Sequence, residues 1–232
     1  TLMDGPSVKK FEDRFSDAFG KKNGLMVNSG SSANALAIAS LGLQAGDEVI
    51  TPALTFSTTV APLIQQGLIP AFVDVEPDSY VIDPEQIERM ITPKTRALMI
   101  PNLIGNLADW SRLKEIADKH NLRTIEDSAD TIGNLYKGQP TGELSDISTT
   151  SFYASHVMTG AGFGGMVCFN DDDIYSKAKQ LRGWGRQSSL VGESEAIEDR
   201  FGVEVDGIEY DSKFVFGDIG YNFQPSEISA AF

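Results

Sequence analysis

Cysteine and histidine are almost missing from these 232 residues, with one cysteine, Cys168, and two histidines, His120 and His156. A lone cysteine forbids any disulfide within the chain, and it cannot supply the roughly four protein ligands that hold an iron–sulfur cluster. Long apolar runs are missing too. None approaches the about eighteen residues of a membrane-spanning helix, so no membrane partner is expected. Lys and Arg number 19 against 33 Asp and Glu, a formal net charge of −14. That balance leaves no basic surface for unaided binding of nucleic acid or an anionic membrane. No signal peptide is legible, and the expected location is cytoplasmic. What is present, 41% hydrophobic and 22% charged residues, predicts a globular chain able to bury the core of one large domain.

Strand and helix patterns alternate along the chain. A helix enters at the Asp4-Gly5-Pro6 turn, with Val8, Phe11, Phe15 and Phe19 spaced for one buried face. A strand at 24–28, a helix through ANALAIASLGL that ends at Gly46, a strand at 47–52, a helix at 57–66 and a strand at 68–74 follow. A helix at 84–90, a strand at 97–101, a helix at 111–120 and a strand at 123–126 repeat the unit. The alternation predicts an α/β sandwich with a mostly parallel sheet and active-site loops at the carboxyl ends of the strands. From Ile147 the texture changes to short strands, SFYA and GGMVCF, and then a helix from Asp173 to about Arg182. The acidic run Asp171-Asp172-Asp173 suits that helix start, near the positive end of its dipole, and is not read as a metal site. Residues 187–213 are acidic and poor in large apolar side chains, and they read as a long surface excursion within reach of a substrate or a partner subunit. A helix begins after Pro225 with no closing cap, and both ends look cut.

The sharpest chemistry sits in residues 148–168, STTSFYASHVMTGAGFGGMVC, where His156 stands between a Ser-Phe-Tyr segment and a glycine-rich turn. Taken alone, His156 is either a proton carrier or a polar residue closing a strand. Ser29-Gly30-Ser31-Ser32 lies between a strand and a helix, where free amides and the helix dipole favour a phosphate, although an ordinary N-cap has the same composition. The P-loop ending Gly-Lys-Ser/Thr is absent there. Phe56 follows a strand end and is either core or the wall of a site. Glu126-Asp127-Ser128-Ala129-Asp130 closes another strand, where a carboxylate either caps a helix or pairs with a protonated ring nitrogen. The turn at 160–165 precedes a strand rather than a helix, which discounts dinucleotide binding. His120 ends a helix and reads as structural. A Ser-His-Asp hydrolase would need a Gly-x-Ser-x-Gly elbow, and none is present.

The segment Ser-Phe-x-x-x-His followed by Gly164-Gly165 resembles the DegT/StrS-type sugar aminotransferases, whose corresponding lysine holds pyridoxal phosphate covalently. The resemblance covers nearly the whole chain. It implies the large domain of an aspartate aminotransferase-like, PLP-dependent transferase, a three-layer α/β/α sandwich over residues 1–232, continuing in relatives into a smaller C-terminal domain. It implies that Gly30, Ser31 and Ser32 grip the cofactor phosphate with Ser151, that Phe56 stacks on the pyridine, and that Asp127 meets its nitrogen. Asn222, in Gly-Tyr-Asn, matches an asparagine that reaches the cofactor phosphate of a neighbouring subunit, which implies a homodimer with shared sites. His156 in place of the lysine, with Asp130 where aminotransferases commonly have glutamine, resembles the branch of nucleotide-sugar 3-dehydratases. In that branch pyridoxamine phosphate is held non-covalently and joins the C4 ketone of a 4-keto-6-deoxy sugar. A histidine there takes a proton from the cofactor's C4′, and the C3 hydroxyl leaves. An imidazole can act first as base and then as acid near neutral pH. Such chemistry serves deoxysugar biosynthesis for surface polysaccharides or glycosylated metabolites. A sugar aminotransferase of the same fold is the alternative, although without the lysine it lacks the usual nucleophile. A non-catalytic relative is the third reading, and the phosphate turn and Asp127, whose loss would suggest it, are both kept. Arg182-Gly-Trp-Gly-Arg186 resembles the entry to the cluster loop of an iron–sulfur group of dehydratases, but no cysteine follows, so the cluster-free group is expected.

Overall fold

In the computed structural model, which describes residues 2–191 and 200–232, the helices are Pro6–Ala18 (α1), Gly30–Ser40 (α2), Ser57–Gln65 (α3), Pro84–Met90 (α4), Trp110–His120 (α5), Asp172–Arg182 (α6), Ser188–Val191 (α7) and Glu227–Ala231 (α8). The strands are Asn23–Val27 (β1), Glu48–Pro52 (β2), Ile69–Val73 (β3), Thr95–Pro101 (β4), Arg123–Asp127 (β5), Leu135–Tyr136 (β6), Gln139–Pro140 (β7), Ile147–Ser151 (β8), Gly165–Phe169 (β9), Phe201–Val205 (β10) and Ile208–Asp211 (β11). Seven of them form one sheet in the order β1-β9-β8-β5-β4-β2-β3, in which β9 alone runs against its neighbours.

Side chains along a strand point alternately to opposite faces, and here each alternate set meets its own helices. Leu25, Val27, Met99, Ile125, Val167 and Phe169 pack with α2, Leu63 of α3, and Ala178 and Leu181 of α6. On the other face, Ile50, Leu98 and Ile100 pack on Ile87 of α4 and on Trp110, Leu113 and Ile116 of α5. Met26, Met166 and Cys168 meet Val8 and Phe15 of α1 and the following Phe19. The three-layer sandwich is therefore the observed fold. Between the two apolar patches of the second face runs a polar seam. Glu126 is fully buried there and accepts from Asn102 Nδ2 at 2.9 Å, Ser128 Oγ at 2.5 Å, Ser148 Oγ at 3.0 Å and Ser145 Oγ at 3.2 Å. Lys21, also buried, donates to the Ser145 carbonyl, and desolvation pulls its ammonium below the usual lysine range.

Three elements depart most from the expected ones, for local reasons. Helix α2 begins at Gly30, because Ser29 Oγ accepts the Ser32 amide at 3.0 Å and so caps the helix three residues before its apolar run. It ends at Ser40, with Gly42 at φ +65° just beyond. The strand expected at SFYA is ISTTS instead and stops at Ser151. Its threonines are fully buried yet satisfied, Thr149 Oγ1 by Asn34 Oδ1 at 2.6 Å and Thr150 Oγ1 by the Ser128 carbonyl at 2.9 Å. Within the excursion expected at 187–213, α7 and the β10–β11 hairpin are formed, the latter on an Asp206-Gly207 turn with both residues at positive φ. Its stretch 192–199 lies outside the described residues.

Helix α1 has Gly5 at its N-cap and no side-chain cap from its own segment. The cap comes from the far end of the chain. Glu227 Oε1 accepts from the Gly5 and Val8 amides, each at 2.8 Å, and Oε2 from Ser7 at 3.0 Å. Desolvation opposes the charge, but these amides outweigh it and hold the Glu227 carboxyl below the usual range. A depressed carboxyl stabilises the fold above its unfolded value and loses that contribution as pH falls through its folded value. Glu227→Gln should therefore cost about 1 kcal/mol at pH 7, about 2–4 °C in Tm. The difference should shrink towards zero in acid when thermal melts are run across pH 3–7.

Candidate active site

Strands β2, β4, β5 and β8 run in parallel, so their carboxyl ends share one edge of the sheet, and β9, running the other way, begins at that edge. A cavity of about 670 Å³ opens there. Its wall is made by the segments that leave β2, β4, β5 and β8, by the first turn of α2, and by Phe163 and Gly164 ahead of β9. Two glycines make the fit close. A Cβ on Gly30 would fall 2.4 Å from that of Ser151, and one on Gly165 would fall 2.4 Å from the Ser29 carbonyl. The start of α2 is thus pressed against the ends of β8 and β9.

Asp127, the last residue of β5, is 8% exposed and lines the cavity. Its Oδ2 accepts from Asn34 Nδ2 at 2.8 Å and Thr59 Oγ1 at 3.0 Å, and its Oδ1 from the Ala129 amide at 3.3 Å. Burial nevertheless pushes the carboxyl above the usual range, with those hydrogen bonds working against the rise and the neighbouring Asp130 adding to it. Across the cavity, His156 Nε2 lies 4.0 Å from Asp130 Oδ1, while Nδ1 is buried with no hydrogen-bond partner. The Tyr153 ring meets the imidazole edge to face at 5.9 Å. Asp130 Oδ2 accepts the Ile104 amide at 3.0 Å and so holds Ile104 at φ 49°, a left-handed conformation that costs a side-chain-bearing residue about 1–2 kcal/mol. Phe56 is 69% exposed on the wall, which places it outside the core.

Of the residues singled out in the sequence, Gly30, Ser31, Phe56, Asp127, Asp130, Ser151 and His156 all line this one cavity. Ser32 does not. It is buried, and its hydroxyl accepts from Ser29 Oγ at 3.0 Å within the cap. Asn222 does not line it either. It is exposed between the stacked rings of Tyr221 and Phe223, 4.5 Å apart, and its carbonyl accepts from Asn28 Nδ2 at 3.4 Å. Asn34, Thr59, Asn102 and Tyr153 were not legible as site residues. For Asn34 a signal existed, because it is the one amide in the otherwise small and apolar run ANALAIA.

The donor set fits a phosphorylated, positively charged aromatic ring. First-turn amides lack intrahelical partners and present positive potential, and those of Gly30 and Ser31, with Ser151 beside them, offer an anion cradle at one end. Asp127 offers a buried carboxylate, and Phe56 a free aromatic face. Among the described residues no lysine or arginine lines the cavity, so neither a covalent lysine nor a counter-ion for Asp127 comes from its wall.

The profile of the DegT/DnrJ/EryC1/StrS aminotransferase family matches residues 1–232. A dTDP-4-dehydro-2,6-dideoxy-D-glucose 3-dehydratase of Saccharopolyspora spinosa is 38% identical over 98% of the chain and 51% of its own length. GDP-perosamine synthase of Caulobacter vibrioides is 33% identical over 98% of the chain and 55% of its own. Among solved structures, an E. coli GDP-4-keto-6-deoxy-D-mannose-3-dehydratase with bound hydrated PLP superposes with a TM-score of 0.87 at 32% identity, covering 100% of this chain and 59% of that one. The chain spans about half the length of these curated relatives.

The raised Asp127 carboxyl has a measurable consequence in cofactor-free protein. A group that holds its proton more tightly in the folded state makes stability fall as pH rises from its unfolded value through its folded one. The stability of the protein relative to Asp127→Asn should therefore decline from pH 4 upward, read as the difference between their thermal melts. A difference constant from pH 4 to 8 would show that burial does not shift this carboxyl.

Proposed function

The chain belongs to the DegT/DnrJ/EryC1/StrS aminotransferase family, whose members are PLP-dependent sugar-modifying enzymes, and we propose that within it this protein is a 3-dehydratase of a nucleotide-linked 4-keto-6-deoxy sugar. Residues 1–232 form its cofactor-binding large domain on this reading. The observation that carries it is the base on the cavity wall, which is His156, with no lysine lining the cavity among the described residues. A cofactor that already carries its amine, pyridoxamine phosphate, suits such a wall. When bound, it supplies the amine for the sugar ketone and a ring that accepts electrons from C4′.

The chain's own residues supply the rest. Gly30, Ser31 and Ser151 bind the phosphate. Phe56 covers one face of the ring. Asp127 keeps the ring nitrogen protonated. With Nδ1 of His156 buried, the proton has to move at Nε2, which lies 4.0 Å from Asp130 Oδ1. Asn222, exposed on its own chain, reaches the phosphate in a second copy, making a homodimer with shared sites. Cys168 is fully buried in the core and offers no ligand set for an iron–sulfur cluster.

Transfer of the amine to the sugar is the second reading, and the similarity to GDP-perosamine synthase favours it. Borohydride separates the two. On the dehydratase reading it leaves the cofactor removable, and His156→Asn slows exchange of the C4′ hydrogen with solvent deuterium by about 10²–10⁴-fold, while cofactor affinity stays within a few-fold. Covalent trapping on a lysine, with an amino sugar as product, would establish the transferase instead. For the dimer, sedimentation at micromolar concentration should give twice the chain mass, and Asn222→Ala should weaken cofactor binding. A monomer whose affinity ignores that change would refute the shared site.

A further inference from the structure

Asn34 is 3% exposed inside α2, and its amide touches three groups. Oδ1 lies 2.6 Å from Thr149 Oγ1, while Nδ2 lies 2.8 Å from Asp127 Oδ2 and 3.3 Å from the Thr58 carbonyl. The orientation of the amide follows from these partners. Turned over, its oxygen would face a carboxylate oxygen and a carbonyl oxygen, two acceptors, with nothing to donate to either. As it stands, each of the three contacts joins a donor to an acceptor. The direction of the protons is also fixed on the other side of Asp127, where Thr55 Oγ1 donates to Thr59 Oγ1 at 3.0 Å and Thr59 Oγ1 donates to Asp127 Oδ2 at 3.0 Å.

Two chains of donors, Thr149 to Asn34 and Thr55 to Thr59, therefore converge on a single oxygen, Oδ2. Oδ2, meeting two donors, carries no proton of its own and acts only as an acceptor. Oδ1 receives one longer bond, from the Ala129 amide at 3.3 Å, so it is the oxygen left under-satisfied. We propose that Asn34, oriented by Thr149, is a positioning residue that saturates one oxygen of Asp127 and so commits the other to the cationic ring nitrogen of the cofactor. The proposal rests on the reading above that Asp127 meets this nitrogen.

The test measures binding of pyridoxamine 5′-phosphate, and of its analogue with carbon in place of the ring nitrogen, by quenching of protein fluorescence. Asp127→Asn should weaken the natural cofactor strongly and the analogue little. If it weakens neither, the reading of Asp127 itself fails. Asn34→Ala should weaken the natural cofactor about tenfold or more, as expected for losing a hydrogen bond to a charged group, and change the analogue by less than about twofold. Thr149→Val keeps the shape of the buried side chain and removes the hydroxyl, which is the orienting donor to Asn34 and also lies 3.3 Å from the Glu126 carbonyl. It should give a smaller loss with the same selectivity, and it stands in if Asn34→Ala does not fold. Selective loss in Asp127→Asn with none in Asn34→Ala or Thr149→Val would overturn the inference and leave the reading of Asp127 standing. Equal weakening of both ligands by Asn34→Ala would make Asn34 a packing residue and overturn it as well.

Discussion

Two consecutive carboxylates at the end of β5, Glu126 and Asp127, set the terms for the rest of the molecule. Adjacent strand residues point to opposite faces, so both charges are buried, one in each half of the sandwich. An uncompensated buried carboxylate costs several kcal/mol, and hydrogen bonds to a charge return about 1.5–3 kcal/mol each. Glu126 receives four such bonds from side chains, with Lys21 as a nearby positive charge. Asp127 receives three and has no cation within the described chain lining its cavity. The first is a finished structural site. The second has no cation on its described wall, and on the proposed reading the ring nitrogen of the cofactor supplies one.

The polar seam around Glu126 also shapes the cavity from behind. Asn102 donates to Glu126 and Ser128, and its oxygen accepts from the Ala108 amide at 3.1 Å and the Trp110 indole at 2.9 Å. The loop leaving β4 is thereby tied to β5, and its next residues, Leu103 and Ile104, form part of the cavity wall. Asp130 holds the same loop from the front through the Ile104 amide. A strained backbone of this kind persists only where its surroundings over-determine it, and here it is gripped from both sides.

Much of this fold was legible because alternation of apolar residues at period 2 or 3.6 is a local property. Helix α4 falls at its expected bounds, α5 and α6 begin one residue before theirs, and α1 begins at the expected Asp4-Gly5-Pro6 turn. What escaped was polar and long-range. The strand ISTTS has no apolar alternation, since its hydroxyls are buried against partners that come from β5 and α2. Asn34 looks like a lapse in an apolar helix until Asp127, 93 residues away, is placed beside it. The cap on α1 comes from 222 residues downstream of Gly5. The β10–β11 hairpin has its own signal, Asp206-Gly207 between alternating residues, set within a stretch whose acidic, apolar-poor composition is that of a surface loop.

With His156 and no lysine on the described cavity wall, the proposed reading changes what the rest of the site must do. A covalent bond retains a cofactor whatever the quality of its other contacts. On the proposed reading retention falls instead to the helix start at Gly30 and Ser31, the face of Phe56, and the charge on Asp127. A contact of this sort contributes most when it is ordered before binding, because no entropy is then spent on arranging it. That is the condition in which the structure holds Asp127. Its strand end is pinned to β8 by the Ser128 amide donating to the Thr149 carbonyl at 2.8 Å, and one of its oxygens is already saturated. Phe56, by contrast, is largely exposed on the rim. On the proposed reading the ring is therefore held at its phosphate and nitrogen ends, its stacking face is the more open contact, and His156 works between them.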